Sequence, residues 1–147
     1  METKSEISVG IFNRGFNCAQ AVLGSHCEEF GLPEKTAKKI SCGFGAGMGY
    51  IGGICGAVSG ALMLIGLKYG KHTESDNEAK EKTYNLVKKY TDSFKKEFGS
   101  IYCTELVKYD LSKEEELLKA RESGVFKELC PIFVKRSVEL AEEILKS

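Results

Sequence analysis

Cys18, Cys55, Cys103 and Cys130 each stand beside a sequence signal for the start of a helix. Asn17 precedes Cys18 as a cap, Ser100 stands before Cys103, and Pro131, suited to the first position of a helix, follows Cys130. Cys55 ends a glycine-rich run and opens a segment of small residues. A thiol in the first turn of a helix faces unpaired backbone N–H groups and the positive end of the helix dipole, which favour the thiolate. Two chemistries use such thiolates. In dithiol exchange one thiolate attacks a disulfide and a second cysteine resolves the mixed intermediate, so two sulfurs must come within bonding reach. In metal binding, four thiolates hold zinc or an iron–sulfur cluster. No C-x-x-C occurs in the chain, so neither chemistry has its usual local signature, and the four sulfurs must gather from separate helices.

The remaining chemistry-bearing residues read more plainly. Cys27 falls on an apolar helical stripe and is expected in the core, whereas Cys42 falls at the C-terminal end of a helix, where the dipole disfavours a thiolate. His26 and His72 are expected at the surface, and the absence of C-x-x-C-H removes covalent haem attachment. Glu114, Glu115 and Glu116 read as a solvated helix face, and no Ser, His and Asp set suggests a hydrolase. Gly47-Met48-Gly49-Tyr50-Ile51-Gly52 matches G-x-G-x-x-G, but a dinucleotide site needs a strand before it and a βαβ unit around it, and a lysine-rich helix stands there instead. Gly47, Gly49, Gly52 and Gly53, with Gly56 and Gly60 one turn apart, are therefore candidates for contact with a prosthetic group or, equally, with a neighbouring helix.

The elements that must position these residues are helical. Ile7, Ile11 and Phe12 mark a first helix over Glu6 to Phe12, ended by Gly15; Asn17 caps a second, with Gly31 as its stop; Pro33 begins a third over Glu34 to Ser41. A glycine-rich loop over 43–53 leads into a central helix from Cys55 to Tyr69. A long polar helix follows over Ser75 to Phe98, with Tyr84, Val87, Thr91, Phe94 and Phe98 as its seam. Ser100 caps a short helix carrying Cys103, Ser112 and Glu115 form a capping box for the next, and the last helix begins at Cys130-Pro131 with Val134, Val138, Ala141 and Leu145 on its seam. The fold expected is all-α, a single-domain helical bundle over residues 1–147.

The charge-free stretch from Ile40 to Leu67 exceeds the roughly 20 residues that cross a bilayer. Nine glycines fall in it, and its helical part is too short, so a buried central helix is expected and no membrane span. Lysine plus arginine equals aspartate plus glutamate at 21 each, which leaves no global field for nucleic acid. The polar start Met1-Glu2-Thr3-Lys4 lacks a secretory pattern and predicts a cytoplasmic protein, where six cysteines stay largely reduced. A homodimer through the apolar seams stays open.

Asn17-Cys18-Ala19-Gln20-Ala21-Val22-Leu23, Phe44-Gly45-Ala46-Gly47-Met48-Gly49, Cys55-Gly56-Ala57-Val58-Ser59-Gly60, Cys103 and Cys130 together resemble the redox-active proteins named for the signature C_GCAxxG_C_C. The resemblance covers nearly the whole chain and places the four family cysteines on Cys18, Cys55, Cys103 and Cys130, the same four that helix capping singles out. It implies a small redox protein, either a thiol-dependent oxidoreductase or an electron carrier, working with a redox partner protein or a small thiol. It supplies no substrate. Two rivals stay open: a helical interaction module with inert core thiols, and a protein that holds zinc for stability alone.

Overall fold

The computed structural model describes residues 1–146, and no strand occurs among them. Eight helices form a single-domain bundle: α1 Lys4–Asn13, α2 Cys18–His26, α3 Glu34–Ser41, α4 Gly56–Tyr69, α5 Asn77–Phe98, α6 Cys103–Val107, α7 Glu114–Ser123 and α8 Val125–Leu145. Helix α4 is the centre. Its first six residues, Gly56 to Ala61, are all buried, because α2, α5 and α8 surround it while α1 packs on α2 and α8. A segment enclosed on every side has no position for charge, which accounts for the charge-free start of α4, although residues such as Ile40, Tyr50 and Ile51 earlier in the charge-free stretch are exposed.

Local signals decide most boundaries. At α2 the Asn17 side chain accepts from the Gln20 N–H at 3.0 Å while the Gln20 side chain accepts from the Asn17 N–H at 2.9 Å, a reciprocal cap. Gly31, at φ 81°, stops the 3-10 turn that follows. Helix α1 begins two residues before the expected Glu6 because Thr3 Oγ1 accepts from the Glu6 N–H, and α5 begins two residues after the expected Ser75 because Asp76 caps it.

Three expectations fail, each to a competing contact. The last helix starts at Val125, five residues before Cys130, so Pro131 lies inside it. Gly124, at φ 79°, closes α7 and turns directly into α8, and Ser123 Oγ accepts from the Val125 N–H. Proline in the second turn removes one backbone bond rather than starting the helix. The Ser112–Glu115 box does not form, since the Asp110 carboxylate takes both the Ser112 hydroxyl and its N–H. On α5 the seam turns away from exposed Tyr84 toward fully buried Tyr90. Tyr90 lies beside Ser137 of α8, hydroxyl to hydroxyl, and Ser137 donates to the Ala57 carbonyl at 2.7 Å, so this polar pair ties α5 and α8 to the first turn of α4.

His26 is likewise not a surface residue. It is buried at the end of α2, with Nδ1 2.6 Å from Glu29, while Nε2 lies 3.6 Å from Glu142 and makes no hydrogen bond among the described residues. His72 is exposed, as expected.

The approach of α2 to α4 sets up a pair of opposite substitution effects. A Cβ on Gly60 would lie 2.9 Å from the Ala19 carbonyl oxygen and from Val22 Cβ, whereas a Cβ on Gly66 of the same helix meets nothing within 4 Å. Gly60→Ala should therefore destabilise by about 1–3 kcal/mol through overpacking. Gly66→Ala should stabilise by up to about 1 kcal/mol through helix propensity. Urea midpoints of the two variants check this, and a shift of the same sign in both would remove the packing explanation.

Candidate functional site

Cys18, Cys55, Cys103 and Cys130 line a single cavity of about 170 Å³, walled otherwise mainly by apolar side chains such as Phe12, Leu106, Phe126 and Phe133. Each sulfur comes from a different element. Cys18 is the first residue of α2, Cys55 caps α4, Cys103 is the first residue of α6, and Cys130 lies in the second turn of α8. All four are buried, as is Cys27, which packs in the core, while Cys42 is exposed at the end of α3; both of the latter stand where the sequence puts them.

The glycine-rich segment does the gathering. Residues 46–50 form one left-handed turn: Ala46, Gly47, Met48, Gly49 and Tyr50 all have φ between 54° and 71°. The turn folds onto the start of α6 so closely that a Cβ on Gly47 would come 2.6 Å from Cys103 Cβ. An antiparallel bridge between Ile54 and Tyr102 follows, in which the Cys103 N–H donates to Gly53 at 2.8 Å and the Cys55 N–H donates to Ile101 at 2.7 Å. On the other side, a Cβ on Gly56 would lie 3.0 Å from the Ala19 nitrogen and 3.2 Å from Cys18 Cβ, which brings Cys18 and Cys55 together. Asn17 Nδ2 donates to the Cys42 carbonyl at 2.8 Å and anchors the start of α2 to the same segment.

Of the six glycines singled out in the sequence, Gly47 and Gly56 line the cavity. Gly52 lies against Thr104, Gly53 sits in the bridge beside Met48, Gly60 faces α2, and Gly49 faces open space apart from the Gly43 carbonyl 4.0 Å away. All but Gly49 thus serve close approach of protein to protein.

The electrostatics reverse the expectation drawn from helix starts. Burial pushes the Cys55 thiol up to about 12, outweighing the Ala57 and Val58 N–H groups that favour its thiolate. Cys103 is also pushed up to about 12, chiefly by burial and then by Cys55 and Cys130. Cys18 and Cys130 interact side chain to side chain. The hydrogen bond between them holds Cys18 well above the usual thiol range and lowers Cys130, so the pair loses its first proton from Cys130 and keeps its second. The thiol most inclined to ionise is therefore the one that is not at a helix start.

Two further residues at the cavity carry no local signal in the sequence. Tyr50, delivered by the left-handed turn, accepts a hydrogen bond from Arg121 of α7 at 3.1 Å, and the guanidinium carbon lies 5.5 Å from the tyrosine ring centroid. Tyr50 and Arg121 are 71 residues apart, so only the folded chain reveals the pair.

A donor set of four thiols suits zinc or an iron–sulfur cluster in type. Among the described residues, however, no three His, Cys, Asp or Glu side chains gather closely enough to hold a single metal ion. Nor is any helix among those residues long and apolar enough to cross a membrane.

The family model described as "Putative redox-active protein (C_GCAxxG_C_C)" matches residues 16–144. The chain belongs to this family. No curated protein and no solved structure matches the chain. The C_GCAxxG_C_C match spans all four cavity cysteines and both segments that bring them together, the left-handed turn and the start of α4.

The buried thiols link stability to pH. An unfolded cysteine ionises near pH 8.5, whereas Cys55 and Cys103 stay protonated up to about 12 in the folded chain. Between those values the folded state holds protons that the unfolded state has released. Their contribution is thus fully present below about pH 8.5 and is lost as pH rises toward 12, by about 1.4 kcal/mol per unit for each thiol. Cys103→Ser should show a shallower fall in urea midpoint between pH 8.5 and 10.5 than the parent chain. Equal slopes would show that Cys103 is not the group responsible.

Proposed function

We propose that the protein works as a two-electron thiol/disulfide centre in which Cys18 and Cys130 are the exchanging pair and Cys55 and Cys103 flank them. The convergence of Cys18 and Cys130 on one cavity, with Cys130 lowered and Cys18 raised by their interaction, supports this reading, because a disulfide needs two sulfurs brought together and a nucleophile that ionises before its partner. Cys130 supplies the thiolate, and Cys18, held protonated, supplies the resolving thiol. Exchange with a small disulfide balances. The Cys130 sulfur attacks one sulfur of the disulfide, and the other leaves and takes a proton. Cys18 then loses its proton and attacks the Cys130 sulfur, releasing the second small thiol. Two protein thiols become one disulfide, and one small disulfide becomes two thiols. The apolar cavity keeps water from the mixed intermediate, and the helix starts around it would stabilise negative charge on a leaving sulfur.

A second reading, an iron–sulfur cluster held by Cys18, Cys55, Cys103 and Cys130, draws support from the convergence of all four on one cavity. A cluster spreads its ligands more widely than a single ion does, and it would supply one-electron transfer. Zinc held as a single ion has no such support.

Metal analysis and peptide mapping separate the readings. Protein purified without oxygen should contain no stoichiometric iron or acid-labile sulfide; both together would favour the cluster. On mild oxidation with diamide, a Cys18–Cys130 disulfide should appear in the peptide map, should vanish in Cys18→Ser and Cys130→Ser, and should persist in Cys27→Ser. A map in which neither Cys18 nor Cys130 is bridged would overturn the assignment of the pair.

A further inference from the structure

The cavity that holds the four thiols has one charged lining residue among those described, Arg121, and it sits with Tyr50. Arg121 forms no ion pair among the described residues; the one hydrogen bond of its guanidinium there goes to the Tyr50 hydroxyl, and the guanidinium lies over the tyrosine ring. A guanidinium so placed has donors to spare, in a planar fork suited to a carboxylate. Inside the cavity the one group inclined to carry negative charge is Cys130. The thiols of Cys18, Cys55 and Cys103 are held protonated and neutral, Asn17 is uncharged, and apart from Cys130 and Tyr50 the remaining walls are apolar or glycine. The starts of α2 and α4 add the positive ends of two helix dipoles on the same side of the field.

The geometry points to a substrate subsite: we infer that Arg121, steadied by Tyr50, binds the carboxylate of a small monoanion whose apolar body enters the cavity toward the thiols. Resting on the thiol/disulfide reading above, this defines the substrate class as a small organic disulfide, or its dithiol product, carrying one carboxylate on an apolar chain. The pairing of charge at the cavity with hydrocarbon inside also argues against highly polar thiols bearing several charges, whose other groups would be desolvated against Phe12, Phe126 and Phe133 without partners.

The test separates binding from redox chemistry by using probes without sulfur. Octanoate and octanamide share one apolar chain and differ in charge. Isothermal titration of the reduced protein should show octanoate binding about tenfold more tightly than octanamide, as expected for a charge-assisted contact near the surface. Arg121→Gln should bring octanoate down to the level of octanamide while leaving octanamide unchanged, and Arg121→Lys should restore part of the difference. Bound octanoate should also slow alkylation of Cys130 in the parent chain and not in Arg121→Gln. Equal affinity for the two probes, no binding of either, or an octanoate preference that survives Arg121→Gln would each overturn the subsite. None of these outcomes bears on whether a Cys18–Cys130 disulfide forms, so the peptide map judges the redox reading independently.

Discussion

Between Ala19 and Gly60 the backbones of α2 and α4 approach until no side chain fits between them, and the same is true one turn earlier at Gly56. Helix axes at that separation bring the two helix starts side by side, and with them Cys18 and Cys55. Bulkier residues at these positions would push α2 outward and separate the two thiols. The rest of the bundle is arranged around this contact. Helix α8, tied to α4 through Ser137 and the Ala57 carbonyl, presents Cys130 to Cys18, and the bridge of Ile54 with Tyr102 presents Cys103. Four sulfurs from four elements thus depend on one small-residue face.

Enclosing thiols this way sets two effects against each other. A helix start lowers a thiol pKa through free N–H groups and the dipole, while removal from water raises it. At Cys55 both act, with the Ala57 and Val58 N–H groups on one side and burial on the other, and burial wins. Reactivity is decided instead by a neighbouring thiol. A hydrogen bond from Cys18 stabilises a charge on Cys130 that the helix start of α8, more than a turn away, does not reach. The outcome is a site whose sulfurs rest neutral and whose first ionisation belongs to a pair.

What the sequence makes legible follows from the range of each interaction. The cap at Asn17, the stop at Gly31, the buried central helix and the placing of Cys27 and Cys42 rest on contacts within a few residues or on simple burial, and these could be read directly. The start of α8 could not. Pro131 is a sound local signal for a first turn, and it is overridden by the Ser123–Gly124 junction, whose glycine both closes one helix and opens the next. Tyr90 escaped for a related reason: its partner Ser137 is 47 residues away, and a phenol looks no more buried in sequence than Tyr84, which is exposed. The convergence of the four cysteines was legible as a set of four helix-associated thiols, but their ionisation order was not, because desolvation and the Cys18–Cys130 contact exist only in the folded chain.

The left-handed turn at 46–50 is the costliest part of the backbone, and its residue types show what it is for. Glycine would occupy all five positions without strain, yet Ala46, Met48 and Tyr50 are not glycine, and each bears about 1–2 kcal/mol for a left-handed conformation. Chain entropy alone does not explain the choice, because it is a smaller quantity than that strain. The side chains do. Ala46 and Tyr50 both line the cysteine cavity, Tyr50 holds Arg121, and the Met48 sulfur covers Gly53 in the bridge that carries Cys55 and Cys103. Strain offset by the Gly53 to Gly47 hydrogen bond and by packing against α6 is retained where a side chain is needed, whereas at Gly47 a Cβ would meet Cys103 and Gly49 faces open space.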